Sequence, residues 1–380
     1  MKRRFKWLLL LPLAGLFLAN CMPGSKNHND SNGIAYGVKK PEIPFAPKGY
    51  VCYKTAGEMN IDGKIDEASW DKATWTDYFV DIEGDAKPKP RFKTRAKMLW
   101  DDNYLYIAAK LEEPHIWGNL TDRDAVIFYD NDFEVFIDPD GDTHGYYEFE
   151  MNALNTVWDL LLIRPYRQAE AVLDSWNYNG MKSGVHIEGT LNDGSDEDKY
   201  WTVEMAFPMT VLEEYNHGRR PKQGDQWRIN FSRVEWQTDI VDGKYVKRKD
   251  DKGKNLHEDN WVWSPQGRIA MHMPELWGFL QFSEKSVGSS NEKFKFNDEE
   301  FVKWELRNIY YAQQEYIKKH GGYAAEIKDL TKVGLNMKAL KYDPKIYVTP
   351  SLYEITAQKP GSKYLWHIDN FGKTWRSNSK

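Results

Sequence analysis

Cysteine is almost missing from this chain: Cys21 and Cys52 are its only two among 380 residues. A disulfide framework is excluded, and a single Cys21–Cys52 bridge is the most the sequence could form. Long apolar runs are missing too. The best candidate, residues 7–18, is short and interrupted by Pro12 and Gly15, which excludes a stable transmembrane helix. Neither sign of charge dominates, with 52 Lys and Arg against 57 Asp and Glu. Basic runs such as Lys247-Arg248-Lys249 are followed by acids, so no nucleic-acid footprint emerges. No phosphate-cradling loop is present. His115, His144, His186, His217, His257 and His272 are scattered, without Cys or His at zinc-ligand spacing.

Aromatic rings are what the chain has in plenty, with 16 Trp and 22 Tyr. Such rings fill cores, and Trp and Tyr add a polar edge. The same flat faces stack on sugar rings, and composition leaves both uses open. At the N-terminus, Lys2, Arg3, Arg4 and Lys6 precede the apolar run, and Leu18-Ala19-Asn20-Cys21 follows it. This reads as an export signal over 1–21 ending in a lipoprotein-like box, with Cys21 the lipidated residue. A plain signal peptide with an incidental cysteine is the alternative. The expectation is an exported lipoprotein anchored to the outer membrane, periplasmic or surface-exposed. Residues 22–44 open on Gly, Ser, Asn and Asp and read as a flexible tether.

Short alternating segments dominate residues 45–283. Lys97 to Trp100, a turn at Asp101-Asp102-Asn103, and Tyr104 to Ala109 read as a β-hairpin. Residues 133–137, 146–152, 201–207 and 227–236 alternate with the strand period. The fold class expected is all-β, an antiparallel β-sandwich. Residues 284–296 are polar and read as a linker. Residues 297–380 change character: Val302, Leu306, Ile309, Gln313 and Tyr316 fall at helical spacing, and the helix should stop near His320-Gly321-Gly322. Strands expected over 346–349, 352–358 and 364–368 complete a small C-terminal α+β unit. Its helix bears a weak similarity to the periplasmic parts of pilin-like proteins.

Alternation also sorts polar side chains onto one face. Phe133, Val135 and Ile137 point to the core, while Asp132 and Glu134 point away. Tyr147, Phe149 and Met151 leave Glu148, Glu150 and Asn152 opposite. Trp227, Ile229 and Phe231 leave Arg228, Asn230 and Ser232; Trp201, Val203 and Met205 leave Thr202 and Glu204. Lysine is absent from these faces. Carboxylate, amide and guanidinium groups match vicinal sugar hydroxyls, which both donate and accept. Trp158, Trp176, Trp236, Trp261 and Trp263 are candidate walls. One polar side is also what any half-exposed antiparallel sheet shows.

Four segments in order carry a resemblance. Ile61-Asp62-Gly63-Lys64-Ile65-Asp66-Glu67-Ala68-Ser69-Trp70 resembles the opening signature of family 9 carbohydrate-binding modules. Leu99 to Ile107 resembles their central hairpin, Asp132 to Asp138 an acidic strand, and Trp277-Gly278-Phe279-Leu280-Gln281-Phe282 their closing strand. The resemblance implies a β-sandwich that binds poly- or oligosaccharide, usually alongside glycoside hydrolases. It places Tyr129 where the family has one clamp tryptophan, and Glu134 where a glutamate bonds sugar hydroxyls. Glu150 stands in place of an arginine. The second clamp position falls near the non-aromatic Met271, with Trp261 and Trp263 close enough to substitute. Asp138, Asp140 and Asp142 resemble a calcium-binding turn, and the family similarity allows structural calcium.

The site expected is therefore Tyr129, Glu134, Glu148, Glu150, Asn152, Trp158, Arg228, Asn230, Trp261 and Trp263. The function expected is non-catalytic holding of glycan for carbohydrate catabolism, with no required cofactor. Two alternatives stay open. One is a glycoside hydrolase using a pair of these carboxylates. The other is a structural or assembly lipoprotein whose sandwich has lost its ligand.

Overall fold

The computed structural model describes residues 38–168 and 172–379; the export segment, Cys21 and the first part of the 22–44 segment lie outside them. Alternating side chains give a 13-stranded sheet that doubles back on itself. One half runs through Val157–Leu162, Tyr146–Asn152, Asp132–Asp138, Gln226–Glu235 and Gly278–Ser286. Gly49–Lys54 continues it into Thr94–Trp100, Tyr104–Glu112, Tyr200–Pro208 and Lys182–Glu188. Most neighbours are antiparallel; Gly49–Lys54 is parallel to both of its partners.

The two halves form a β-sandwich around one core. Phe133, Val135, Ile137, Phe149, Trp227 and Phe231 from one half meet Met98, Ile107, Val203 and Met205 from the other. Burying a side chain of this size contributes about 1.5–3 kcal/mol, so the alternation that turns these residues inward is stabilising at each position. The expected hairpin forms, with the Asp101 carboxylate accepting from the Asn103 and Tyr104 amides at 2.7 and 2.8 Å.

Glu204 explains the acidic, glycine-containing segment after Ile61. Its carboxylate accepts from the backbone of Asp62 (3.2 Å) and Gly63 (2.9 Å) and from Trp70 Nε1 (2.7 Å), pinning that segment to the sheet. Gly63 has φ +91°, and a Cβ there would meet the Val185 carbonyl carbon at 2.4 Å. Only glycine suits both the conformation and the approach.

The C-terminal unit is a helix, Glu299–His320, laid against a four-stranded antiparallel sheet. The helix ends at Gly321, whose φ of 74° gives a left-handed cap. Val302, Leu306, Ile309 and Gln313 are fully buried, as the helical spacing predicts. A fourth strand, Thr374–Asn378, was not foreseen, and the segment after Ala324 forms a 3₁₀ turn over Ile327–Val333. The unit packs on the sandwich through apolar contacts to Met273, Leu276 and Phe45 and through polar ones. Arg167 donates to Glu275 at 2.8 Å, and Tyr311 Oη donates to the same carboxylate at 2.6 Å. Val38, within the 22–44 segment, packs into the core of this unit. Phe294 and Phe296, in the linker segment, lie against Phe279. No helix among the described residues is long and apolar enough to cross a membrane.

Candidate functional site

Strand register assembles the acids. Glu134 lies opposite Glu150, Glu150 opposite Trp158, and Ser232 opposite Glu134, so four strands contribute one transverse row. Glu148 stands in the next row, between Phe136 and Leu160. Strand alternation places all of these on the face turned away from the sandwich core.

The acids are deeply set. Glu134, Glu148 and Glu150 are 6, 3 and 2% exposed. Burial pushes the Glu134 carboxyl up to about 7. Burial, with the charges of their neighbours, pushes Asp132, Glu148 and Glu150 well above the carboxylate range. The Phe128 amide donates to Glu150 at 3.1 Å, and the Val234 amide to Asp132 Oδ1 at 3.1 Å. The Asp132 Oδ2 atom has no donor among the described residues. His272 Nε2 lies 3.7 Å from Glu148, but burial drives that imidazole down to about 3, so it stays neutral. A neutral carboxyl donates as well as accepts, which suits a hydroxyl-rich ligand.

Rings stand around the acids. Tyr129 is 41% exposed. Trp158 is half-buried against Phe136, Leu160 and Met271. Tyr166 packs edge-on to His272 with ring centroids 4.0 Å apart, and burial, then the charges of Glu148, Glu150 and Glu134, raise its phenol. Lys247 Nζ caps Trp236 at 3.3 Å and lies 5.7 Å from Tyr129. Burial holds that ammonium down to about 8. Tyr166, His272 and Lys247 escaped the sequence reading. The first two lie outside regular strands, and the third lies on a short strand of another sheet, where no alternation marks it.

The remaining expected residues go elsewhere. Arg228 shares the outer face but is covered by the C-terminal helix. It donates to Glu300 at 2.7 Å and to the Trp277 carbonyl at 2.9 Å. Asn230 is spent on both backbone groups of Ser264, each at 2.9 Å. Asn152 donates to the Leu120 carbonyl and to Asp130, and accepts from the Leu154 and Thr156 amides. Trp261 and Trp263 do not wall the acids. They are 3 and 2% exposed and belong to the sandwich core, because their strand turns that side inward.

Two clusters of three carboxylates are close enough together to hold a cation. Asp132, Glu134 and Glu150 offer oxygens within 4.8 Å of one another, and so do Asp138, Asp140 and Asp142. An all-oxygen set suits a hard cation such as calcium. In the turn, Asp138 accepts from the Gly141 and Thr143 amides at 3.0 and 2.9 Å. Asp142 pairs with Lys373 at 2.9 Å, and His217 lies 3.5 Å from Asp140.

A β-sandwich that gathers buried acids and rings on one outer face is the architecture of a ligand-holding module. The comparisons give the family: residues 61–265 match the carbohydrate family 9 binding domain-like model, and the chain belongs to that family. Among curated relatives, exoglucanase XynX of Acetivibrio thermocellus is 27% identical over 189 residues, 49% of this chain and 14% of that protein. Endo-1,4-beta-xylanase A of Thermotoga maritima is 31% identical over 138 residues, 34% of this chain and 12% of that protein. The chain thus spans a small part of these relatives' length. Among solved structures, a putative carbohydrate-binding protein from Bacteroides uniformis aligns at 15% identity and a TM-score of 0.46, covering 63% of this chain and all of that one. A family 9 module from Caldicellulosiruptor kristjanssonii in complex with cellotriose aligns at 15% and 0.40, covering 64% of this chain and all of that one.

Proposed function

We propose that this protein is a non-catalytic, cell-envelope lipoprotein that holds poly- or oligosaccharide for carbohydrate catabolism, on the Glu134–Glu150 face. The row Glu134, Glu150, Trp158, with Glu148 behind it and Tyr129 and Tyr166 beside it, is the observation that carries this reading. Carboxyl groups that donate and accept meet sugar hydroxyls, and the rings meet the C–H faces. The names of the curated relatives make xylo- and cello-oligosaccharides the first ligands to try. A lipid anchor at Cys21 would hold the sandwich at the outer membrane, periplasmic or outward-facing, near glycoside hydrolases.

Titration calorimetry of the full chain with xylo- and cello-oligosaccharides tests the reading. Saturable binding weakened by Glu150→Gln and by Tyr129→Ala is expected. Folded protein that binds nothing across a wide neutral glycan panel would remove it. Radiolabelled palmitate incorporation that is lost in Cys21→Ser tests the anchor.

A further inference from the structure

One end of the sandwich half opposite the acidic row gathers cations: Lys93, Arg95, Lys110 and Lys199 line one hollow there. Thr94–Trp100 and Tyr104–Glu112 pair so that Arg95 stands directly across from Lys110. Like charges in direct cross-strand register repel one another. Among the described residues neither side chain has a carboxylate at ion-pair distance; Glu188, whose charge reaches Lys110, is paired with Lys199 at 3.1 Å. Lys93 joins the group. The one acid of the lining, Glu112, accepts from the Lys93 backbone amide at 3.3 Å. These residues, with Tyr78 and Tyr200, surround an open hollow of about 260 Å³.

Rings are interleaved with the cations. The Arg95 guanidinium lies 4.3 Å from the Trp75 ring and 5.5 Å from Tyr78; Lys110 Nζ lies 3.5 Å from Tyr200. Tyr78 is 48% exposed. A bare inorganic anion would use the charges and leave the rings idle, and a neutral sugar would do the opposite. A sugar that bears a carboxylate uses both. Its anionic group bridges Arg95 and Lys110 and relieves their repulsion, while its ring lies against Tyr78.

We propose that this hollow is a second glycan site, selective for a uronic-acid residue, held by Arg95, Lys110 and Tyr78. It shares no residue with the Glu134 face, so either site stands or falls alone.

Calorimetry of the full chain with trigalacturonic acid and with its methyl ester tests the proposal. The acid should bind roughly tenfold tighter than the ester, since the ester removes only the charge-assisted bonds. Affinity for the acid should fall with added salt. The Arg95→Gln/Lys110→Gln double variant and Tyr78→Ala should each weaken the acid, whereas Glu134→Gln should leave it unchanged. The double variant removes a repulsion along with the contacts of these cations to Trp75, Tyr78 and Tyr200, so circular dichroism is used to check that it folds. Equal binding of acid and ester, no binding of either, or full affinity in the double variant would overturn the proposal. So would loss of binding in Glu134→Gln. Displacement of the acid by equimolar sulfate, or capture by phosphatidylglycerol vesicles in its place, would also overturn it, because charge alone would then suffice.

Discussion

Glu134 and Glu150 face each other in register on adjacent strands, and each is at most 6% exposed. Two carboxyl groups so placed cannot both ionise cheaply. Burial lifts Glu134 from 4.5 to about 7, so the folded chain holds that proton more tightly than the unfolded chain does. The sign follows. This stabilising contribution is whole below pH 4.5 and is lost as pH rises through about 7. Its size is of the order of 3 kcal/mol, at about 1.4 kcal/mol per pKa unit. Urea unfolding at pH 4.5 and pH 8 should show the loss. Glu134→Gln should flatten the slope and be the more stable form at pH 8.

Glu204 gives a second expectation. It satisfies two backbone amides and the Trp70 indole inside the sheet. In Glu204→Ala both acceptor oxygens are lost, and the two amides and the indole are left without their partner. The loss should be about 1–3 kcal/mol, the cost of an unsatisfied buried polar group. Chemical denaturation measures it. Limited proteolysis should cut the variant faster than the native chain between Ile61 and Trp70, the segment these bonds pin.

Much of this architecture is legible in the sequence, for local reasons. Alternation alone turns Phe133, Val135 and Ile137 inward and Glu134 outward. The apolar spacing of Val302, Leu306 and Ile309 fixes the helix, and Gly321 ends it. What is not legible depends on partners distant in sequence. Nothing around Arg228 announces that Glu300 will cover it, 72 residues away. Trp261 and Trp263 satisfy the composition of a sugar wall equally well from inside the core. Arg95 belongs to the alternating run Arg91, Lys93, Arg95, Lys97, but nothing in that run shows that Lys110 will stand opposite it until the hairpin register forms. A charge balance counted along the chain misses that patch for the same reason.

The covering of Arg228 carries a third expectation. Arg228 and Lys303 both donate to Glu300, at 2.7 and 3.0 Å, in a buried triad. These two cations help hold the Glu300 carboxyl below its ordinary range despite burial. Glu300→Ala leaves both cations without their carboxylate and should cost about 3–5 kcal/mol. Hydrogen exchange should place the loss first in Glu299–His320, whose packing on the sandwich uses this contact.

Lys373 decides whether the Asp138, Asp140 and Asp142 turn responds to calcium. Its ammonium lies 2.9 Å from Asp142 Oδ2, and the charges of Asp142, Asp140 and Asp369 raise it above the ordinary lysine range although burial opposes them. The same turn pushes Asp140 up to about 6, chiefly by burial and then by the Asp142 charge. The three acids thus already have a resident cation from the protein itself. A calcium ion entering the turn must displace it, so the native chain should show little change in Tm with calcium or with EDTA. Lys373→Met removes the resident charge and leaves three carboxylates within 4.8 Å. An ion that binds only the folded state stabilises it in proportion to the logarithm of its concentration. The variant should therefore melt lower than the native chain in EDTA and recover as calcium is added. A variant indifferent to calcium would show that these oxygens are committed to the turn's own amides.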